Sequence, residues 1–298
     1  MAEPEDQPQD PFVTRKATLI ATAVAIASVV VPGWFWMDTW FGRELTDDQI
    51  QEYLADTEYP RKAQHALAQI SERIASGDET VRQWYPDVLA LADHELPQLR
   101  LTVAWLMGDD TENQQFHLSL LKLLRDTHPM VRRNAALALT KFDDASGLDE
   151  IRGMLKSYRL KSEFAGIVKN RLQPGDSFDI NALLVRIESD GEDDPQDLRA
   201  PLPGIVQEQL HADGTRINAG DEVTVIRPES VHAMQALLGL YMVGTIEDIE
   251  LIKPYQRQRD DFDANVMQQA NLTVEQIRTR AAGQVAPQPA TANSGDAI

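Results

Sequence analysis

Three periodicities follow one another along the chain. Residues 17–37, ATLIATAVAIASVVVPGWFWM, run for 21 positions without a charge. From residue 44 onward apolar positions recur at the three-to-four spacing of amphipathic helices, and beyond Leu172 they alternate at a spacing of two. The pattern predicts a multidomain fold: one apolar helix over 17–37, an α-α helical array over 44–171, and a small all-β module over 172–232. Short helices over 233–280 and an unstructured tail over 281–298 follow.

The apolar run is long enough to cross a bilayer, since about 20 residues at about 1.5 Å rise span the ~30 Å hydrocarbon layer. Arg15 and Lys16 stand directly before it, and Trp34, Trp36 and Trp40 crowd its far end as an interfacial belt would. Pro32-Gly33 would kink or end such a helix near the headgroups. A cleaved signal peptide is the competing reading. Against it, Glu3, Glu5, Asp6 and Asp10 precede the run, and no small-x-small site closes it. Arg15 and Lys16 outnumber Arg43, which orients residues 1–16 as a cytoplasmic tail. The expectation is a single-pass protein of the bacterial inner membrane, held in the lipid bilayer by one helix, with its bulk in the periplasm.

The helical array repeats. Pro60, Pro97 and Pro129 stand 37 and 32 residues apart, each preceded by an Asp-containing turn (Asp56, Asp93, Asp126) and followed by an Ala-rich apolar stripe. Asp at the turn can accept amides of the next helix, and Pro in the first turn spares an N–H that has no partner there. Second helices carry Val81, Trp84, Tyr85, Val88, Leu89 and Leu91, then Phe116, Leu118, Leu120, Leu121, Leu123 and Leu124. The stretch Leu123-Leu124-Arg125-Asp126-Thr127-His128-Pro129-Met130-Val131-Arg132-Arg133-Asn134-Ala135-Ala136-Leu137 resembles the HEAT-repeat consensus, and the resemblance covers about residues 46–158. It implies an inter-repeat ladder formed by Asp93 and Arg100, and by Asp126 and Arg132 or Arg133. Solvated helix charges fit those residues equally. It also implies an extended surface for a protein partner.

In the β segment, Ala182–Ile187 reads as a strand, followed by the acidic loop Ser189–Asp197. Val206, Leu210, Ile217, Ala219, Val223 and Val225 then keep to one face, with turns at Asp213-Gly214 and Ala219-Gly220-Asp221. The order A-P-x-P-G-x-V, then D-G-x-x-I-x-A-G-D, then V-x-V-I, resembles the biotinyl/lipoyl-like β domain, including the version in periplasmic adaptor (membrane-fusion) proteins. That resemblance covers about residues 173–230 and implies a barrel-sandwich. In carrier members a hairpin lysine holds the prosthetic group. No lysine lies between Arg171 and Ile252, so the carrier role does not transfer and no cofactor is expected. Gly166-Ile167-Val168 to Leu172 also mirrors Gly204-Ile205-Val206 to Leu210 at a shift of 38. Yet Leu160, Phe164, Ile167, Val168 and Leu172 fall at helical spacing. The helical reading of 160–171 is preferred, with the first strand of a duplicated β module left open. Met234, Leu237, Leu238 and Tyr241 form a stripe expected to lie in the core, and Phe262–Arg280 reads as an exposed helix.

Composition narrows the function. A net charge of −19 repels phosphate backbones, so nucleic acid is not an expected partner. The absence of cysteine removes disulfides, thiolate metal sites and cysteine nucleophiles. His65, His94, His117, His128, His211 and His232 are scattered, the acidic Glu192-Asp193-Asp194 lacks calcium-loop spacing, and no P-loop, G-x-G-x-x-G, G-x-S-x-G or H-E-x-x-H occurs. The sequence thus predicts no catalytic, cofactor or metal site. It predicts a non-catalytic scaffold or adaptor subunit of an integral membrane protein complex, an efflux or secretion assembly. Two alternatives stay open. One is an accessory subunit of a respiratory or photosynthetic complex. The other is a degenerate carrier or regulatory domain of a biotin- or lipoate-dependent enzyme.

Overall fold

A computed structural model describes residues 44–188 and 194–284. The chain divides at Glu52/Tyr53 into two units. Helix α1 (Asp47–Ala55) begins in the first and opens behind a reciprocal cap. The Gln49 amide donates to Thr46 Oγ1 at 3.3 Å, and the Thr46 amide donates to Gln49 Oε1 at 3.0 Å.

The second unit begins with paired helices. They are α2 (Pro60–Ala75) with a 3-10 turn (Glu79–Trp84) and α3 (Tyr85–Leu91), then α4 (Pro97–Met107) with α5 (Gln114–Leu123), then α6 (Pro129–Lys141) with α7 (Leu148–Met154). Pro60, Pro97 and Pro129 each sit in the first turn of their helix. The turn before each supplies an acceptor. Asp56 takes the Tyr59 amide at 3.3 Å, Asp126 takes that of His128 at 2.7 Å, and in the middle repeat His94 Nδ1 takes that of Leu96 at 3.1 Å. Helix α4 packs on α2, and α6 on α4. Small residues set the separation: a Cβ added to Gly108 would stand 3.0 Å from Ala138, and one added to Gly147 would stand 2.6 Å from Ala136. Trp84, Leu67, Ile70, Leu99, Phe116, Leu120 and Leu139 fill the interior.

The helical layer does not end at α7. Helix α8 (Ser230–Val243) packs on both α6 and α7, and α10 (Ala264–Gln284) packs on α8. One apolar cluster joins Ala136, Ile151 and Met154 to Ala233, Leu237, Leu240, Ala270, Val274 and Ile277. Between α8 and α10 lie α9 (Ile249–Ile252) and flanking 3-10 turns. The β region, Tyr158–Arg227, is therefore an insertion into a helical framework that resumes after it.

The described residues of that insertion form eight strands: β1 (Tyr158–Lys161), β2 (Gly166–Asn170), β3 (Ser177–Phe178), β4 (Leu183–Glu188), β5 (Gln196–Arg199), β6 (Gly204–Gln209), β7 (Arg216–Ile217) and β8 (Glu222–Arg227). They form two four-stranded antiparallel sheets, ordered β1-β8-β6-β3 and β5-β4-β2-β7. Advancing every strand of the first sheet by four places, cyclically, yields the second. The backbone bonding repeats with it. The Gly175 amide donates to the Val206 carbonyl at 2.8 Å, and the Gly214 amide to that of Val168 at 2.9 Å; Arg171 donates to Leu184 as Leu210 donates to Val223, both at 3.0 Å. Gly166 and Gly204 occupy equivalent places against a carbonyl of the neighbouring strand, where a Cβ would meet the Glu188 oxygen at 2.4 Å and the Arg227 oxygen at 2.7 Å. The two halves share one core, with Val168, Val185, Ile187, Val206, Val223 and Ile226 at its centre.

Several expectations are corrected. Residues 160–171 are not helix; they contribute β1 and β2, so the β region starts at Tyr158. The pattern misleads because Leu160, Phe164, Val168 and Leu172 are spaced by four, which fits one face of a helix and one face of a strand alike. The expected closed barrel-sandwich does not form, since no strand pairing joins the two sheets among the described residues. The expected fold with a transmembrane helix, and the inner-membrane location with a periplasmic bulk, are also corrected: no helix of the described residues is long and apolar enough to cross a membrane. Residues 17–37, with Arg15, Lys16, Trp34, Trp36 and Trp40, lie outside the described residues. An integral membrane complex as partner, whether for efflux, secretion, respiration or photosynthesis, is not shown by the described residues. The tail 281–298 lies mostly outside the described residues, and α10 runs four residues into it. Helix α10 is not an exposed helix; it buries Val266, Ala270, Val274 and Ile277. In α8 the buried face is Ala233, Ala236, Leu237 and Leu240, whereas Leu238 is exposed.

Candidate partner-binding surface

The charged residues of the array form a ladder between repeats. Arg100 on α4 donates through Nε and Nη2 to the two oxygens of Asp126 at 2.6 and 2.8 Å, in the turn before α6. Its Nη1 donates to the carbonyls of His94 at 2.7 Å and Glu95 at 2.9 Å, in the turn before α4. Arg132, at the matching place on α6, repeats this one repeat later. Its Nη1 donates to the carbonyls of Asp126 and Thr127, and its Nε donates to Glu150 of α7 at 2.6 Å. Asp93 does not bond Arg100 directly; it accepts from Lys122. Arg133 takes no part in the ladder.

Burial decides what these pairs contribute. The Arg100 and Asp126 side chains are 13% and 8% exposed, against 67% and 64% for Lys122 and Asp93. Forked, desolvated pairs of the first kind hold geometry, while exposed pairs contribute roughly 0–1 kcal/mol. Burial pushes the Asp126 carboxyl up, but the Arg100 guanidinium and the His128 amide outweigh it and hold the group below the ordinary carboxylate range. A second set of polar ties lies at the other helix ends. Asp109, after α4, accepts from Ser71 of α2 at 2.5 Å and from Lys141 of α6 at 2.8 Å, so one carboxylate spans three repeats. His117 and Asp144 meet at 2.7 Å, and the Tyr85 hydroxyl donates to Asp110 at 2.7 Å.

The same devices tie the framework together across the insertion. Asp248, buried at 2% exposure, accepts from Arg152 Nε on α7 at 2.6 Å and from the Thr245 amide at 2.7 Å. Burial again opposes ionisation, and Arg152 with Thr245 wins, leaving the carboxyl lowered. The Tyr255 hydroxyl donates to the Leu155 carbonyl at 2.6 Å, and burial pushes that phenol up to about 12. Arg280 on α10 donates to the Tyr241, Met242 and Gly244 carbonyls, closing the C-terminal end of α8.

A scaffold so thoroughly tied leaves a few large apolar side chains outside. Of the two tryptophans in the array, Trp84 is 1% exposed and Trp105 on α4 is 51% exposed. Leu118 on α5 is 57% exposed. On α8, Val231, Leu238 and Met242 are exposed at spacings of seven and four, which places them on one helix face. Half-exposed tryptophan in a well-packed domain is a common anchor of protein interfaces. Among the described residues no group of three or more His, Asp or Glu is placed to hold a metal ion.

The HEAT resemblance pointed to Asp93 with Arg100 and to Asp126 with Arg132 or Arg133; the structure pairs Arg100 with Asp126 and Arg132 with Glu150 instead. The sequence did not indicate Glu150, Asp109, Arg152 or Asp248, whose partners lie up to 96 residues away. Trp105 was legible only as an apolar letter beside Leu106, with nothing to tell outward from inward.

No curated protein sequence matches the chain. Solved structures that overlap it partially include the following three. The Kluyveromyces lactis urea carboxylase is 29% identical over 24% of this chain and 6% of its own length, with a TM-score of 0.23. The complex of CpcE and CpcF of phycocyanin lyase from Nostoc sp. is 14% identical over 83% of this chain and 71% of its own, with a TM-score of 0.42. A single-chain, multi-domain long-chain acyl-CoA carboxylase is 17% identical over 48% and 14%, with a TM-score of 0.23. The chain thus spans only a small part of either carboxylase. For the helical segment the finding is sharper: residues 85–160 match the family model of HEAT repeats.

Proposed function

We propose that this protein is a non-catalytic scaffold that binds a protein partner through its helical framework. HEAT repeats stack into surfaces too extended for small ligands and suited to another polypeptide. The observation that carries the reading is Trp105, half exposed on α4 while Trp84 and Phe116 of the same array are fully buried. Its indole offers a large rigid contact at low entropic cost, and the α8 face of Val231, Leu238 and Met242 offers a second apolar strip. The β insertion, whose lysines Lys161 and Lys169 lie in strands β1 and β2 and whose turns at Gly214 and Gly220 carry none, serves as a rigid packing unit.

A photo-reactive amino acid placed at Trp105, and separately at the exposed Lys122 as a control, tests this in the native host. The reading predicts one discrete cross-linked polypeptide from position 105 and a diffuse or empty pattern from position 122. Equal, diffuse labelling from both positions would overturn it.

A further inference from the structure

Trp105 and the outer face of α8 belong to one strip. Helix α4 packs on α2, α6 on α4 and α8 on α6. They stack nearly in register. The Asn134 side chain, sixth on α6, donates to the Leu101 carbonyl, fifth on α4, at 3.2 Å. A Cβ added to Gly239, tenth on α8, would stand 3.5 Å from Cδ2 of Leu137, ninth on α6. Counted from the first residue of each helix, the ninth position is Trp105 on α4, Leu137 on α6 and Leu238 on α8. Trp105 and Leu238 are exposed, and Leu137, on the helix between theirs, is partly buried. Met242, one turn beyond Leu238, is exposed on the same face.

Charge separates the strip from its edge. Helices α4, α6 and α8 contain no Asp or Glu in a chain with 47 acids, so a partner lying on them desolvates no carboxylate. Their cations are engaged or turned away. Arg100 holds Asp126, Arg132 holds Glu150 and Lys141 holds Asp109, while Arg133 and His232 face the β insertion beside Leu202 and Ile226. Acids return where the helices end. An open groove of about 690 Å³ is lined there by the exposed Met242 and Ile246, by Asp143 after α6 and by Glu247 after α8. Neither carboxylate has a hydrogen bond or ion pair with a described residue. The groove's two cations are already bonded, Arg152 to Asp248 and Arg280 to the carbonyls that end α8.

We infer that the strip from Trp105 through Leu137 to Leu238 and Met242 accepts one amphipathic helix of the protein partner, apolar on its inner side and basic along the edge over Asp143 and Glu247. This rests on the scaffold function and names the chemistry of its partner. Three helices about 8–10 Å apart make a strip about 20 Å across, the length of about 14 residues of helix at about 1.5 Å rise. Binding of this kind uses apolar anchors at helical spacing, with charge at the rim setting the choice of partner. A second copy of this chain, or an anionic bilayer, brings negative charge to the acidic edge and is repelled there.

The test uses the full chain and fluorescent peptides of about 16 residues with one leucine stripe at helical spacing. One is edged with lysine, one with glutamate, and a third scrambles the first. Anisotropy is expected to show the lysine-edged peptide bound about tenfold or more tighter than the other two. Leu238→Gln and Trp105→Ala, both at exposed positions and compared at unchanged melting temperature, each weaken it about fivefold or more. Asp143→Asn combined with Glu247→Gln brings the lysine-edged and glutamate-edged peptides within about twofold of each other. Equal binding of the lysine-edged and scrambled peptides, full affinity in Leu238→Gln, or undiminished discrimination in the double acid variant overturns the inference. So does a dimer in sedimentation, or binding to anionic vesicles, that Leu238→Gln abolishes, since the strip then belongs to a second copy or to lipid. A discrete cross-link from position 105 alongside any of these failures keeps the scaffold function and removes the helix alone.

Discussion

The helical framework and the β insertion fix their geometry by different means. In the framework, helices are tied to one another by charged side chains: Arg100 on Asp126 between repeats, Arg132 on Glu150 within one, and Arg152 on Asp248 across the insertion. In the insertion, the two halves are set by backbone bonds and glycine contacts that recur at a fixed offset, Gly175 to Val206 and Gly214 to Val168, with Gly166 and Gly204 pressed against carbonyls. Ladder bonds depend on ionisation and can be exchanged residue by residue, which suits a surface whose curvature must fit a partner. Backbone bonds in a duplicated sheet pair are indifferent to charge, which suits a rigid unit.

The largest effect on this contrast is expected at Arg152→Ala. It strands the buried Asp248 carboxylate and detaches the framework after the insertion from the repeats before it, costing about 3 kcal/mol in denaturant unfolding. Gly166→Ala and Gly204→Ala come next. Each pushes a Cβ into a carbonyl oxygen, and each is expected to cost about 1–3 kcal/mol. Near-equal values would confirm that the two halves are equivalent, and a several-fold difference would break the symmetry argument. Arg100→Lys loses the fork to Asp126 and is expected to cost about 1–2 kcal/mol, measured the same way. Lys122→Ala, removing an exposed pair with Asp93, is expected to change stability by under about 0.5 kcal/mol.

Acid sharpens the same comparison. Asp126 and Asp248 have folded carboxyls below the unfolded value of about 3.9, so their stabilisation is fully present above that pH and is lost as pH falls through the lowered folded values. Among the described residues the backbone-set insertion has no carboxylate as deeply buried. Hydrogen exchange between pH 5 and pH 3 is therefore expected to open α4, α6 and α7 before β2, β4, β6 and β8.

Much of the framework was legible in the sequence because its signals are local. Proline in the first turn, an acceptor just before it and an alanine stripe after it define α2, α4 and α6 within a dozen residues each. The insertion was half legible. Turns at Gly214 and Gly220 marked the second half, while the first half was concealed by residues spaced four apart. The shift of 38 between Gly166 and Gly204 held the answer. What no local signal could supply was the return of the helical layer after the insertion. Ala136 and Ile151 meet Leu237 and Leu240 only because some seventy residues of β structure close on themselves in between.

The central claim is that the framework is a surface for another protein, with Trp105 as an anchor. The most direct measurement compares wild type and Trp105→Ala, at matched melting temperature, for the stoichiometry and affinity of the polypeptide cross-linked from position 105. The account predicts unchanged stability and at least a tenfold loss of affinity, about 1.4 kcal/mol. Full affinity in the variant, or a purified wild-type chain that binds that polypeptide no better than an unrelated protein, would contradict it.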